Sequence, residues 1–287
     1  MEQSKGFEEG RADFIWKLHK MLYGTMQGTH NWAENLNKTF KEYDYYKSST
    51  NPQIYSRVID DELTITLTWT DNFLGALSIL ERELLAKAQL SSSYEIKDLG
   101  EAKLILEMHV IRNVLGDITL FQQAYCKQII KCFNIGGYVP TSTPLSPGIT
   151  LLCNNCLDNA HDANKIKNIP YHEALGLFIW LQVATRPNLS FVVNMLSRFT
   201  HNPRKLHWNA LKHILAYTKG TTHYRVIYKI GGNLDLIGYV NFDFAGCRES
   251  RHSTKSNIFI IVGGPVSWES KHQETIALST VEAEYIA

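Results

Sequence analysis

The chain has 287 residues, 44% of them hydrophobic, and a formal net charge of +1. That is enough for one large or two modest domains with cores of their own, so disorder is excluded as the default. Five cysteines are an odd set for a chain of this size, which speaks against a disulfide scaffold and for a reducing, intracellular compartment, cytoplasmic or nuclear. The start reads as no signal peptide, and the most apolar short run, residues 258–262, is too short to span a bilayer, so no membrane is implied.

In chain order, Trp32, Leu36 and Phe40 recur at helical spacing and predict a helix within residues 20–46, after the Tyr23-Gly24 turn. Asn51-Pro52 ends it. Residues 53–58 and 63–69 are β-rich runs around the acidic turn Asp60-Asp61, the pattern of a hairpin, and Asp71 follows directly. A helix over 76–90, an extended stretch over 94–110, a strand over 118–121 and a helix over 123–133 come next. Pro140, Pro144 and Pro147 then mark a linker. Beyond it, Pro170 suits the first turn of an apolar helix that Arg186-Pro187 ends; a second helix runs to Phe199, and Asn202-Pro203 starts a third. After Gly231-Gly232 the texture turns to strands, over 234–242, 256–262 and 266–270. Ser279 and Glu282 have the spacing of a capping box that opens a last helix, and the stop at Ala287 after two turns suggests a truncated C-terminus.

The charge is unevenly spread. Residues 174–234 contain no Asp or Glu, yet hold Arg186, Arg198, Arg204, Lys205, Lys212, Lys219, Arg225 and Lys229, interleaved with Phe199, Trp208, Tyr217, Tyr224 and Tyr228. Cations among flat rings suit a nucleic-acid groove, with Arg198, Arg204, Lys205, Lys212 and Lys219 as the contacts. A solvated helical face over an aromatic core is the alternative. Cys153 and Cys156 have metal-ligand spacing, but no second pair follows, so free thiols are the reading.

A colinear series of motifs carries a stronger signal. It runs through Leu22-Tyr23-Gly24, Gln27 and Trp32, then Trp69-Thr70-Asp71-Asn72, Lys97-Asp98-Leu99-Gly100-Glu101 and Ser142-Thr143-Pro144. Thr185-Arg186-Pro187, Ser197-Arg198-Phe199, His207-Trp208, Lys219-Gly220-Thr221 and the tail from Gly264 to Tyr285 follow. In this order they resemble the reverse transcriptase and ribonuclease H portion of copia-type long-terminal-repeat retrotransposon polyproteins, over essentially the whole chain.

The resemblance implies an α+β fold: a partial palm and thumb start over 1–135, a linker over 136–168, a helical basic connection region over 169–232, and a truncated ribonuclease H-like sheet with one helix start over 233–287. It implies an RNA–DNA hybrid or template–primer as partner, and magnesium as cofactor, since two hard divalent ions on carboxylates drive both chemistries. Tyr23, Gly24 and Gln27 fall at nucleotide-side positions. Asp71 falls at a metal-ligand position, but Asn72 stands where a second aspartate is implied, and the first-strand aspartate is expected before Met1. In the nuclease part Asn241 replaces the first-strand aspartate, Asp243 is two residues on, and Glu284 matches the helix glutamate, a second metal ligand.

Two incomplete sites imply that magnesium is not bound competently and that catalysis is lost. The alternatives are a retained nucleic-acid-binding module and a piece of a longer active polyprotein. Other departures share a direction: the resemblance implies aspartate at Asn188, glycine at Glu107 and Ser256, and arginine at His30 and His252. Each is reachable by one G-to-A transition.

Overall fold

The structure is a computed structural model that describes residues 10–11, 15, 25–149, 151 and 169–287. It divides into two compact units, one to Glu101 and one from Ala102, so the division does not coincide with the linker expected at 136–168. The fold mixes helices with three antiparallel sheets, compatible with the α+β expectation. Among the described residues, no helix is long and apolar enough to cross a membrane.

In the first unit, α1 (Met26–Glu42) starts where the Thr25 hydroxyl accepts a hydrogen bond from the Gly28 amide, an N-cap that fills one of the helix's orphan donors. Strands β1 (Tyr46–Lys47), β2 (Ile54–Ile59), β3 (Glu62–Trp69) and β4 (Asn72–Leu77) form a sheet in sequence order. The β2–β3 turn puts both Asp60 and Asp61 at positive φ, the conformation of a two-residue hairpin loop. Phe40 of α1 stacks on Tyr55 at 4.3 Å, with Tyr45 edge-on at 5.0 Å. The face bearing Tyr55 and Arg57 also buries Thr64, Thr66 and Thr68, while Leu63, Ile65 and Trp69 lie on the exposed side. Arg57 donates to the Tyr43 carbonyl and to Gln89 of helix α2 (Leu80–Ser93), which fixes α2 against this face.

The expected helix over 76–90 is corrected at its start, because residues 72–77 pair with β3 before α2 begins. The expected extended stretch over 94–110 shrinks to two short strands, β5 (Leu104–Ile105) and β6 (Met108–Arg112). In the motif before them, Asp98 accepts from the Gly100 amide at 2.8 Å and pairs with Lys87 of α2 at 2.8 Å; Lys87 and that amide hold its carboxyl below the usual range.

The second unit is built on helices. Strands β5, β6, β7 (Ile118–Phe121) and β8 (Val226–Tyr228) form one sheet, and β9 (Ile237–Phe242), β10 (Thr254–Ile261) and β11 (Gly264–His272) another, ordered β11-β10-β9. Helices α3 (Gln123–Cys132), α4 (Tyr171–Ala184), α5 (Ser190–Ser197) and α6 (Lys205–Gly220) enclose the main core around Phe178, Leu181, Leu196, Leu211 and Leu215. A short helix, α7 (Thr280–Ile286), is capped as expected, with the Glu282 amide donating to Ser279 Oγ at 3.1 Å.

Arg186, 2% exposed, knits this unit together. Its guanidinium donates to Asn188 Oδ1 (3.1 Å), Thr221 O (3.1 Å) and Thr221 Oγ1 (2.7 Å), and lies 5.0 Å from the centroid of the Tyr224 ring. All three acceptors are neutral, although a desolvated cation gains most from a carboxylate. Asn188 in turn donates to the Tyr217 hydroxyl, a group able to donate back to a carboxylate.

A second mismatch lies in the β5–β6 turn, where Leu106 and Glu107 both have positive φ (48° and 63°). Left-handed backbone costs a side-chain-bearing residue about 1–2 kcal/mol, and glycine escapes that cost. Asn188→Asp and Glu107→Gly are therefore each expected to stabilise, by about 1 kcal/mol, raising Tm by about 2–4 °C in a domain of this size. Thermal unfolding followed by circular dichroism checks both. The gain from Asn188→Asp should vanish as pH falls through the new carboxyl's lowered titration range, and that from Glu107→Gly should persist.

Candidate functional site

The first candidate site is the tip between β3 and β4. Trp69 pairs with Asn72, leaving Thr70 and Asp71 as a two-residue connection with Thr70 at φ 50°. The Trp32 indole of α1 donates to the Thr70 carbonyl at 3.2 Å, tying the tip to the helix. Gln27, one turn and a half before Trp32 on α1, is exposed, as are Asp71 and Asn72. Tyr23 and Gly24 lie outside the described residues, as do Cys153 and Cys156.

Magnesium needs several hard oxygens at one point. Among the described residues, no group of three or more His, Cys, Asp or Glu side chains could hold a metal. One exposed carboxylate beside an amide does not by itself fit the ion.

The second candidate site is equally spread. Asn241 is exposed on β9, the outer strand of its sheet, and its Oδ1 accepts from the next amide, Phe242 N, at 2.9 Å. Asp243 lies just past the strand, and its Oδ1 accepts from the Thr254 amide, while its own amide donates to Thr254 O at 2.9 Å. Glu284 is exposed on α7, and among the described residues neither a hydrogen bond nor an ion pair joins it to Asn241 or Asp243. The Asp243 carboxylate thus works as a latch for the loop between β9 and β10.

Three of the five cations expected to line a groove have separate duties. Lys219 donates to the carbonyls of Gly136 and Tyr138, pinning the segment after α3. Arg204 is the N-cap of α6, and its amide donates to His207 Nδ1 at 3.0 Å. Arg198 reaches His272 and the Cys247 sulfur (3.6 Å) beside a cavity of about 340 Å³. Burial raises the Cys247 thiol, but hydrogen bonds from Ser250 and the Glu249 amide, with Arg198 nearby, bring it below its ordinary value. Burial, then Arg198 and His252, lower His272. Of the set, Lys205 is exposed and Lys212 half-buried, and neither meets a carboxylate among the described residues. Sequence reasoning had no signal for the Arg198 cluster, whose members come from residues 198, 247 and 272.

Comparison with known proteins decides the family. A family model described as reverse transcriptase (RNA-dependent DNA polymerase) matches residues 1–147, just over half of the chain. The chain belongs to that family.

The chain is 36% identical over its whole length to the retrovirus-related Pol polyprotein from transposon TNT 1-94 of Nicotiana tabacum, of which it spans 22%. It is 28% identical over its whole length to a transposon Ty5-1 protein of Saccharomyces cerevisiae, of which it spans 92%. It is 29% identical over 99% of its length to the Pol polyprotein from transposon RE2 of Arabidopsis thaliana, of which it spans 19%. About a fifth of each plant polyprotein is thus covered. No solved structure matches. The resemblance drawn from the motifs, to the reverse transcriptase region of a retrotransposon polyprotein, holds.

The Asp243 latch makes a local prediction. A Cβ on Gly246 would stand 1.9 Å from Asp243 Oδ2, so Gly246→Ala is expected to push the carboxylate off the Thr254 amide. The loss should be about 1 kcal/mol, the low end of the cost of an unpaired donor, since this one is only half-buried. Faster hydrogen exchange at the Thr254 amide than in wild type checks it.

Proposed function

We propose that this reverse transcriptase segment holds a template–primer or RNA–DNA hybrid but catalyses neither synthesis nor cleavage as written. The observation that carries the reading is the β3–β4 tip, where one exposed carboxylate, Asp71, has an amide neighbour, Asn72. A polymerase needs carboxylates that jointly hold two metals, and an amide of the same shape supplies neither the charge nor the second hard anionic oxygen. The finer division belongs to the same reading: partial palm and thumb start over 1–135, linker over 136–168, connection region over 169–232, truncated ribonuclease H-like part over 233–287. In that last part Asn241 is the corresponding loss.

Binding rests on the acid-free stretch 174–234 and on Lys205 and Lys212, a pair seven residues apart on α6, two helical turns. Phosphate contacts of this kind are independent of sequence and salt-dependent. The polyproteins to which the chain is similar are several times longer, and a working site assembled with residues beyond this chain is the second reading, favoured by the 22% share of the tobacco protein that the chain spans.

The test is a primed RNA template and a labelled RNA–DNA hybrid offered to the purified chain with magnesium. No extension and no cleavage are expected; either activity overturns the reading. Fluorescence anisotropy should show hybrid binding that weakens with salt, and Lys205→Gln with Lys212→Gln should lower the slope of log K against log salt by about two. No hybrid binding at low salt overturns the binding half.

A further inference from the structure

Arg198 gathers a group of side chains from three segments of the second unit. It follows α5 directly, and its Nε–H donates to the Met195 carbonyl at 3.3 Å, which restrains the guanidinium. From there Nη1 donates to the ring of His272, the last residue of β11, and to the Cys247 sulfur at 3.6 Å in the β9–β10 loop. The His252 ring lies nearly parallel to that of His272, 6.1 Å away, and its Nδ1 meets the Gln273 carbonyl at 2.8 Å. The loop is pinned around the sulfur, because the Cys247 amide donates to the His252 carbonyl at 3.2 Å and the Arg251 amide to the Cys247 carbonyl at 2.8 Å.

The sulfur is surrounded by donors. Besides Arg198, the Ser250 hydroxyl and the amides of Glu249 and Ser250 direct hydrogen bonds at it. A neutral thiol is a weak acceptor, so packing alone gives no reason for four donors to converge there; a thiolate, or an oxygenated sulfur anion, uses all of them. Cys126 shows the opposite balance: Arg186 is near it too, but at 2% exposure burial pushes its thiol up. Among the described residues no carboxylate pairs with Arg198. His272, lowered by burial and then by Arg198 and His252, stands as a neutral acceptor. The guanidinium charge is thus left for the sulfur. Access is open as well, since Cys247 is partly exposed and, with Arg198, Phe191 and Met195, lines two cavities of about 340 and 50 Å³.

We propose that the Cys247 cluster is an oxidation site for hydroperoxides, in which Arg198 and the loop donors hold the sulfur as an anion before and after the reaction. The thiolate sulfur attacks one peroxide oxygen, and the S–O bond forms as the O–O bond breaks. With hydrogen peroxide the leaving hydroxide takes the proton of the transferred hydroxyl, so sulfur loses two electrons, the peroxide gains them, and a sulfenate and water remain. The step needs no nucleic acid and stands independently of the proposed function.

The test exposes the full, reduced chain to hydrogen peroxide with dimedone present, which traps sulfenic acid, and maps the labelled peptides by mass spectrometry over time. Cys247 should take up label about tenfold faster than Cys132, which is exposed, or Cys126, which is buried. Labelling of Cys132 as fast as that of Cys247 overturns the proposal without any variant being made. Arg198→Gln, its fold verified by circular dichroism, should slow labelling of Cys247 about tenfold, and Arg198→Lys, which keeps the cation, should restore most of the rate. An unchanged rate in Arg198→Gln overturns the proposal, and so does equal slowing in both variants, which would make Arg198 a packing residue only.

Discussion

The second unit depends on the burial of one guanidinium. Arg186 sits at the break between α4 and α5, yet its donors reach Thr221, at the far end of α6, so one side chain joins the helix turn to the exit of the longest core helix. Thr185 beside it donates to Gln122 just before α3, which ties a third helix to the same point. His213 and Lys219 of α6 extend the pattern outward, holding the Thr143 carbonyl and the Gly136 and Tyr138 carbonyls. A loop has no ladder partner for its backbone, so these side chains satisfy carbonyls that the segment 136–143 cannot satisfy by itself. Of the motif residues, Arg186 meets Thr221 directly, while Thr143, Thr185 and Lys219 tie to other parts of the same unit.

That account changes what the basic stretch means. Charge counting could not separate cations that face solvent from cations that hold carbonyls, because both leave the same composition. Arg186 and Lys219 belong to the second kind, and Arg198 is committed to Cys247 and His272. Only the partners distant in sequence, Thr221, Gly136, Tyr138, Cys247 and His272, reveal the difference.

The helices of the second unit were legible because their signals are local: Pro170 before α4, Arg186-Pro187 after it, and the Ser279–Glu282 cap of α7. The β2–β3 hairpin was legible from its alternation and its acidic turn. Strand β4 was not, because Gly75 and Ala76 have little β propensity and only pairing with β3 makes a strand of them. Strand β8 is three residues long and exists through β7. In β3 polarity misleads in another way, since the threonines face the covered side and the large aliphatic residues face out. Asp71 was placed correctly just past a strand, but whether other ligands gather around it is a fact of three dimensions, and among the described residues no group of three or more does so.

The candidate catalytic positions and the stabilising ones decouple in this fold. Asn72 is held by backbone pairing to Trp69, and Asn241 is exposed on an outer strand with its amide oxygen on a neighbouring N–H. Exchanging a carboxylate oxygen for an amide nitrogen at such places leaves ladder and packing unchanged, so it costs the fold little. At Glu107 and Asn188 the situation is reversed: the backbone angle of one and the buried cation beside the other favour glycine and aspartate, the residues that the family resemblance implies there. Departures of the first kind spare stability, and those of the second kind lower it by amounts a core of this size absorbs. A chain carrying both kinds keeps its ladders and its packed core, because neither kind breaks a strand pairing or empties a core position.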